Sequence, residues 1–226
     1  MRFKLACAVV LAGCGLAGAA AAAQKAPPLI PSWKQSHFEE GDVTVRTVYR
    51  LAVCAVKRRR EAVEALLATP PGSAEESARL PAAMPSGETD CPIQMRRLAI
   101  PGRIFVRGAL AEALYNGDVL KPRAMSALPL SDTFQPSKYG SQFVVGRWVA
   151  RCAVRREPRL AHEVVKWNPG SMGEARALRM LKPTFIGCLP QGERLQVSRL
   201  NIRALVAEEL YHASVTFKES FANAQG

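Results

Sequence analysis

The feature that most constrains how this chain folds is an internal repeat in which each copy carries two cysteines. Cys54 and Cys152 each open the same short motif, Cys-Ala-Val followed by two basic residues. The second cysteines, Cys91 and Cys188, follow at almost equal distances along the chain. Further matches occur in the same order: Pro71, Gly72, Ser73, Glu76, Leu80, Arg107, Ala111, Glu112, Leu114 and Tyr115 match Pro169, Gly170, Ser171, Glu174, Leu178, Arg203, Ala207, Glu208, Leu210 and Tyr211. Because ordered matches at a regular spacing are typical of duplicated structural units, we predict two tandem copies, residues 44–117 and 143–217.

The four cysteines of the predicted copies are expected to form disulfide bonds. Four cysteines allow three pairings, and spacing alone does not choose among them. A duplicated unit most simply keeps its own pair, which predicts Cys54–Cys91 and Cys152–Cys188. Zinc binding is the competing interpretation, but it would need closely spaced C-x-x-C pairs, and the sequence contains none. We therefore predict two disulfides and no metal site.

The first 23 residues have the three parts of a secretory signal peptide. Arg2 and Lys4 form a basic start, an apolar stretch follows, and Ala21 and Ala23 provide a cleavage site. This predicts export to a periplasmic or extracellular compartment, where disulfides form. A competing interpretation is a lipoprotein anchored through Cys14, which ends a Leu-Ala-Gly-Cys lipobox. A membrane anchor is disfavoured because the apolar run is short, so we expect no transmembrane span in the mature chain.

The first predicted copy has the apolar spacing of amphipathic helices, and the predicted fold class is all-α. We expect a long helix that stops at Pro70 and a shorter helix capped by Ser73. Pro81 and the following loop should end this second helix, and a last helix should run from Pro101 to Asn116.

The second predicted copy should repeat this plan, with helices near residues 143–166, 172–181 and 198–215. Pro158 should kink or split the first of them, because proline donates no backbone hydrogen bond. Short strands at residues 95–100 and 194–197 are the alternative to an entirely helical fold. The remaining segments are assigned as an extended leader, a linker and a tail: residues 24–43, 118–142 and 218–226.

The chain is strongly basic, which limits the partners it can bind. It has 31 Lys and Arg residues against 19 Asp and Glu residues, a formal net charge of +12 at pH 7. Nucleic acids, anionic membranes and cell-wall polymers are all attracted by such a charge. The densest basic run, Lys57 to Arg60, lies on a predicted helix, where four successive residues spread over every side. No aromatic residue interleaves it, so we expect no specific nucleic-acid site and only weak polyanion binding that salt removes.

Two charged residues recur in both copies and are candidates for a repeated polar site. Arg107 and Glu112 match Arg203 and Glu208. Residues five apart on a helix are separated by about 140°, so the two members of each pair do not face each other. We expect one member to be buried against a neighbouring helix and the other to be solvated, in a structural role rather than a ligand site.

The remaining reactive side chains form no catalytic motif. Tyr115 and Tyr211, near the ends of the last helices, are expected to bury their rings and to hydrogen-bond through their hydroxyls. The three histidines, His37, His162 and His212, have no histidine at the matching place in the other copy. The sequence lacks a zinc-protease motif, a nucleophile elbow, a P-loop and a dinucleotide fingerprint. We therefore predict no catalytic residue and no cofactor.

These observations favour a non-enzymatic, exported helical protein that binds an envelope partner through a surface built by its two copies. The first alternative is a hydrolase-like enzyme with its site in the groove between the copies, where His162 or His212 would act as the base. The second alternative is a structural protein held at an anionic membrane or cell-wall surface. A flat apolar patch would favour the binding protein. A pocket lined by histidine and carboxylates would favour the enzyme, and arginines gathered on one side would favour the surface protein.

Overall fold

The structure, a computed structural model, describes residues 43–84, 91, 102–117 and 142–223. Within these residues it contains seven α-helices and no β-strand, which confirms the predicted all-α class. The predicted signal peptide, nearly all of the leader and of the linker, and the alternative strand at residues 95–100 lie outside the described residues. The helices are α1 (Val43–Leu67), α2 (Ala74–Ala83), α3 (Arg103–Gly117), α4 (Gln142–Arg156), α5 (Pro158–Lys166), α6 (Met172–Cys188) and α7 (Arg199–Asn223).

We refer to α1–α3 as the N-terminal half and to α4–α7 as the C-terminal half. In the predicted alignment Cys54 matches Cys152, 98 residues later, and Arg107 matches Arg203, 96 residues later. These two spacings define matching positions before and after the second cysteine of each half. The duplication itself stays a prediction, but it identifies which residues can be compared.

The second helix of each half begins with the same capping arrangement. The hydroxyls of Ser73 and Ser171 accept hydrogen bonds from the backbone N–H groups of Glu76 and Glu174, respectively. Each glutamate side chain accepts a hydrogen bond in return from the N–H of the glycine before the serine. These glycines have φ angles of 79° and 84°, in the left-handed region that favours glycine. The Ser-x-x-Glu spacing therefore predicted both helix starts correctly.

The first helical segment of each half is broken at a matching position. In the C-terminal half the break lies at Glu157 (φ −134°, ψ 61°), and Pro158 opens α5, so the predicted split is confirmed. In the N-terminal half α1 is broken at Arg59 (φ −139°, ψ 40°), where the next residue is Arg60. Because this second break occurs without proline, the sequence did not predict it, and packing must impose it.

α6 is longer than the sequence predicted. It continues to Cys188 instead of ending near residue 181, with Pro183 inside it. Proline removes one backbone hydrogen bond from a helix. Phe185 and Cys188 are buried beyond it, so packing of the last turns keeps the segment helical.

Two other helices also differ in detail from the prediction. α2 passes Pro81 and ends at Ala83. α7 runs to Asn223, beyond residue 215, and includes most of the predicted tail. Residues 194–197 connect α6 to α7 as irregular chain, so the alternative strand is absent there, in agreement with the all-α prediction.

α3 and α7 form the centre of the fold and pack against each other. Almost every residue from Phe105 to Tyr115, and every residue from Ile202 to Tyr211, is buried, so both helices are covered on all sides. Around them, α1 packs on α2 and α3, α4 and α5 pack on α7, and α6 packs on α4 and α5. The central helices touch backbone to backbone at Gly108, where an added Cβ would overlap Ala204.

Each half contains one disulfide bond. Cys54 of α1 is bonded to Cys91, and Cys152 of α4 is bonded to Cys188 at the end of α6. Their Cα–Cα distances are 6.0 Å and 5.8 Å, within the usual range for disulfides. The pairing expected from the sequence is the one present in the structure.

Candidate functional site

Both repeated charged pairs lie in the core, but their partners are exchanged between the halves. Arg107 of α3 donates from Nε to Glu208 of α7 at 2.8 Å. Arg203 of α7 donates to both carboxylate oxygens of Glu112 in α3, at 3.0 Å and 2.6 Å. All four side chains are buried, so the expectation that one member of each pair is solvated was wrong. The arginine and the glutamate of each helix do point in different directions. Because the buried parts of α3 and α7 are covered on all sides, both directions lead into the core.

Each buried arginine also closes the end of a helix in its own half. The last carbonyls of a helix have no intrahelical partner and carry partial negative charge. A guanidinium with several N–H donors can satisfy them while it keeps its carboxylate partner. The donors and acceptors are Arg107 with the carbonyls of Leu66 and Leu67 in α1, and Arg203 with those of Val164 and Val165 in α5.

The two capping glutamates complete this buried network. Glu76 lies 3.5 Å from Arg107, and Glu174 lies 3.5 Å from Arg203. Arg199 forms a further ion pair with Glu174. The network thus joins the starts of α2 and α6 and the ends of α1 and α5 to the central helices. Arginine and glutamate side chains thus offset one another's charge in the contacts that join these helices.

Glu112 and Glu208 occupy matching positions but have pKa shifts in opposite directions. Burial raises the pKa of Glu112, and the charge and hydrogen bonds of Arg203 offset only part of that effect. Burial acts on Glu208 in the same way, but a hydrogen bond from His212 and the charges of the neighbouring arginines outweigh it. The pKa of Glu208 therefore lies below its ordinary value. Its neighbours include Arg147 at 3.4 Å and His212 at 3.6 Å.

The two matching tyrosines lie next to different histidines. Burial raises the pKa of Tyr115 to about 12, so its hydroxyl stays protonated and can donate to Nδ1 of His162 at 3.0 Å. Burial also lowers the pKa of His162, which favours its neutral form. Tyr211 has a buried ring whose centroid lies 5.4 Å from that of His212. The third histidine of the chain, His37, lies outside the described residues.

The basic run does not form a common face. Arg59 donates to the carbonyls of Ala82 and Met84 at the end of α2, and Arg60 pairs with Glu64 at 2.8 Å. These contacts hold the run against its own half. They agree with the expectation that four successive helical residues do not make a single cationic stripe.

Three exposed apolar side chains of the C-terminal half cluster on one surface. Trp167, Met172 and Met180 are 45%, 77% and 52% exposed, respectively. With Arg176 and Arg179 they line a groove of about 580 Å³ beside α5. We call these five residues the α6 surface.

Trp167 has a defined place on the α6 surface. Its ring lies over Gly173, where a Cβ would overlap the ring. Its indole N–H donates to Glu163 at 3.1 Å, and the ammonium of Lys166 lies 5.5 Å from the ring centroid. A cation at this distance from an indole ring is attracted to it. The aromatic group is therefore both exposed and held in position.

A second groove lies between α1 and α3 in the N-terminal half and has a volume of about 540 Å³. We call it the α1–α3 groove. Its floor includes Glu112 and the ring of Tyr49, and its rim carries Lys57 and Arg60. The other lining residues are Val53, Val56, Ala113, Asn116 and Gly117.

Sequence reasoning missed both the α6 surface and the α1–α3 groove, because it searched for residues that match between the copies. Both features consist largely of residues that do not match. Trp167, for example, stands where the other half has Thr69, and Tyr49 where the other half has Arg147. Mismatched positions on the outer faces of the helices were the signal that could have found them.

Within the part of the chain that the structure describes, no three or more metal-ligating side chains come together. None of the helices described there is long and apolar enough to cross a membrane. Comparisons with protein families, with curated proteins and with solved structures find no match for this chain.

Proposed function

We propose that this protein is an exported, non-enzymatic binding module that docks an acidic partner protein through its α6 surface. The observation that carries the proposal is the cluster of Trp167, Met172 and Met180 beside two arginines. Tryptophan, methionine and arginine are enriched in protein–protein interfaces, and tryptophan and arginine often supply most of the binding energy.

The shape of the α6 surface supports a partner with a protruding apolar side chain. The groove of about 580 Å³ has Leu160 and Trp167 on one side and Met172 and Met180 on the other. Methionine side chains are flexible and adapt to different partner shapes. An apolar side chain inserted between them would bury surface that now faces water.

Charge supports an acidic partner. Arg176 and Arg179 have no carboxylate partner among the described residues. The carboxylate of Glu163, which also lines the groove, is occupied by Lys166 at 2.9 Å and by the indole N–H of Trp167. Carboxylates that flank the inserted side chain would thus meet two available guanidinium groups.

The fold does not need this apolar surface. The N-terminal half has Thr69, Ala74 and Ala82 at the positions that match Trp167, Met172 and Met180. Thr69 is buried and donates to the Leu66 carbonyl at 2.6 Å, so it serves the helix end instead of a surface. A cluster that one half lacks and that faces solvent is better explained by binding than by stability.

Export is part of the proposal. The predicted signal peptide supports it, and the two disulfides are compatible with an oxidising compartment. The proposed partner is therefore a protein of the envelope or the extracellular space.

A photo-crosslinking amino acid placed at Met180 in the full chain tests the proposal in the organism that produces it. Ala82, the exposed matching position, is the control site. We expect a discrete protein adduct from position 180, none of the same size from position 82, and loss of the adduct in an Arg176→Glu/Arg179→Glu variant. Equal adducts from both sites, or an adduct that survives the charge reversal, would contradict the proposal.

The alternative role at an anionic membrane gives a different result. Purified protein would then sediment with vesicles containing anionic phospholipid, and its tryptophan fluorescence would shift to the blue on binding in the unaltered protein but not in Trp167→Phe. If this occurs while position 180 yields no protein adduct, the surface binds membrane and the proposed function is wrong.

A further inference from the structure

We infer that the α1–α3 groove is a binding site for a small amphipathic carboxylate, an apolar chain with an anionic head. This site is separate from the α6 surface and does not depend on the proposed function. Its volume of about 540 Å³ lies within the range of small-molecule pockets, about 300–1,000 Å³.

The walls of the groove are suited to an apolar chain. Val53, Val56 and Ala113 line it, and Val53 is 45% exposed. The ring of Tyr49 lies at the base and packs edge-on against Phe105 at 5.6 Å between centroids. A chain placed here would cover apolar surface on both helices.

The polar groups of the floor are already satisfied. Both oxygens of Glu112 accept hydrogen bonds from Arg203, and the hydroxyl of Tyr49 accepts another from Nε of Arg203 at 3.0 Å. The buried guanidinium of Arg203 thus neutralises the negative charge of Glu112 from the core side of the groove. The floor offers neither an open carboxylate for a cation nor a free donor for an anion.

The rim supplies the positive charge that selects the head group. Lys57 is exposed and has no carboxylate partner among the described residues. Arg60 is held by Glu64 at 2.8 Å. An ammonium at the mouth of an apolar groove favours a ligand whose carboxylate stays at the rim while its chain lies along the valines.

The matching positions of the C-terminal half show that the fold does not require an apolar groove. Arg147, Arg151 and Glu209 stand where the N-terminal half has Tyr49, Val53 and Ala113. There Glu209 lies 3.3 Å from Arg147 and 3.8 Å from Arg151. Paired charges cover these positions in one half, and small or apolar side chains leave them open in the other.

Binding of octanoate to the purified, disulfide-bonded protein tests the inference, with octylammonium as the probe of opposite charge. Both are used below the concentrations at which they form micelles, and protein NMR shift changes report the site. We expect octanoate to shift the residues of the groove and to bind at least about tenfold more tightly than octylammonium. Tighter binding of octylammonium, or shifts spread over the whole surface, would overturn the inference.

Three variants identify the groove as the site. Val53→Arg/Ala113→Glu copies the paired charges of the other half and should abolish octanoate binding with an unchanged circular dichroism spectrum. Lys57→Gln should weaken the binding of octanoate about tenfold and leave the affinity for octylammonium unchanged. Arg155→Gln, at the position that matches Lys57, is the control and should bind as the unaltered protein does. Equal affinity in all variants would rule the groove out.

An anionic phospholipid is the competing ligand, because its phosphate head carries the same sign of charge as the carboxylate of a fatty acid. Vesicles with and without anionic phospholipid distinguish the two ligands. Binding of free octanoate but not vesicles supports the carboxylate, whereas vesicle binding that Val53→Arg/Ala113→Glu removes, without octanoate binding, would show that the groove takes a lipid phosphate instead. Absence of binding to octanoate and to both vesicle types would contradict the site itself.

Discussion

Glu112 in the N-terminal half accepts hydrogen bonds from Arg203 of the C-terminal half, and Glu208 in the C-terminal half accepts one from Arg107 of the N-terminal half. Different residues surround the two glutamates. Among the described residues, the cation that pairs with Glu112 is Arg203, and Tyr49 lies beside it. Glu208 has Arg107, Arg147 and His212 as neighbours. Burial therefore raises the pKa of Glu112, whereas at Glu208 the hydrogen bond from His212 and the neighbouring arginines together outweigh burial and lower the pKa.

This difference separates two kinds of residue. The arginines, the glutamates, the capping serines and the disulfides occur in both halves, and they form corresponding contacts in each. Residues around them differ, and the differences create the α6 surface in one half and the α1–α3 groove in the other. Shared residues thus report stability, whereas unshared residues on the outer faces are the candidates for function.

Removal of each buried arginine gives the largest expected effect. Arg203→Met leaves Glu112 buried without a cation, and we expect a loss of about 3–5 kcal/mol in the free energy of unfolding. Arg107→Met should cost about 1–2 kcal/mol less, because Arg147 and His212 still face Glu208. Urea unfolding of both variants measures the difference. Addition of Glu112→Gln should recover part of the loss in Arg203→Met, and the reverse order of the two single variants would refute the unequal surroundings.

Exchange of one methyl group across the α3–α7 contact should have a smaller effect. Gly108→Ala drives a Cβ into the backbone of Ala204, and we expect a cost of about 1–3 kcal/mol. Ala204→Gly should cost about 1 kcal/mol through lost helix propensity. The double variant should stay less stable than Ala204→Gly alone, because the Cα and the carbonyl oxygen of residue 204 still lie where the new Cβ is placed. Thermal unfolding tests this, and a double variant as stable as Ala204→Gly alone would contradict the backbone contact.

The proline at the helix break should matter little. Because α1 breaks at Arg59 without proline, Pro158→Ala should keep the break and change stability by only about 0.4–1 kcal/mol, through the unfolded chain. Arg60→Pro, at the matching position, should likewise be tolerated. The control, Arg50→Pro, lies in the unbroken part of α1 and should cost about 3 kcal/mol. Similar large losses from Arg60→Pro and Arg50→Pro would show that the two breaks are not equivalent.

The smallest expected effect is a pH dependence confined to one half. Burial lowers the pKa of His162 below its unfolded value, so the unfolded chain binds the proton more readily. The stability that neutral His162 contributes is complete above the unfolded pKa of about 6.5 and is lost as the pH falls below it. Glu64 occupies the matching position. Thermal midpoints from pH 7.5 to pH 5.5 should fall more in the unaltered protein than in His162→Asn, and parallel curves would contradict the assignment.

Much of the fold could be predicted from local patterns. Pro158 predicted a helix break and Ser73 and Ser171 predicted helix starts, because each acts through contacts within a few residues of itself. The break at Arg59 and the extension of α6 past Pro183 could not be predicted in this way. Both oppose or ignore local preference, and both depend on buried side chains that pack against distant helices.

The candidate sites were less predictable than the fold. The repeated Arg107, Glu112, Arg203 and Glu208 were found in the sequence, but their partners were not. Residues on one helix that point away from each other carry no information about which helix will face them. Exposed surfaces such as the one around Trp167 were still harder to predict from the sequence, because the exposure of a side chain depends on which helix faces the other helices leave uncovered.

The sequence by itself determined the helical class, the cysteine pairs and the helix starts, because periodicity, repeated cysteine spacing and capping are all read from short stretches of chain. Only the tertiary structure decided that Arg107 binds Glu208 and Arg203 binds Glu112. The physical reason is that burial favours a guanidinium close to a carboxylate, and the crossing of α3 and α7 brings each guanidinium to the carboxylate of the opposite half. Arg107 and Glu208 are distant in sequence, as are Arg203 and Glu112, and packing of the two helices makes each pair direct neighbours.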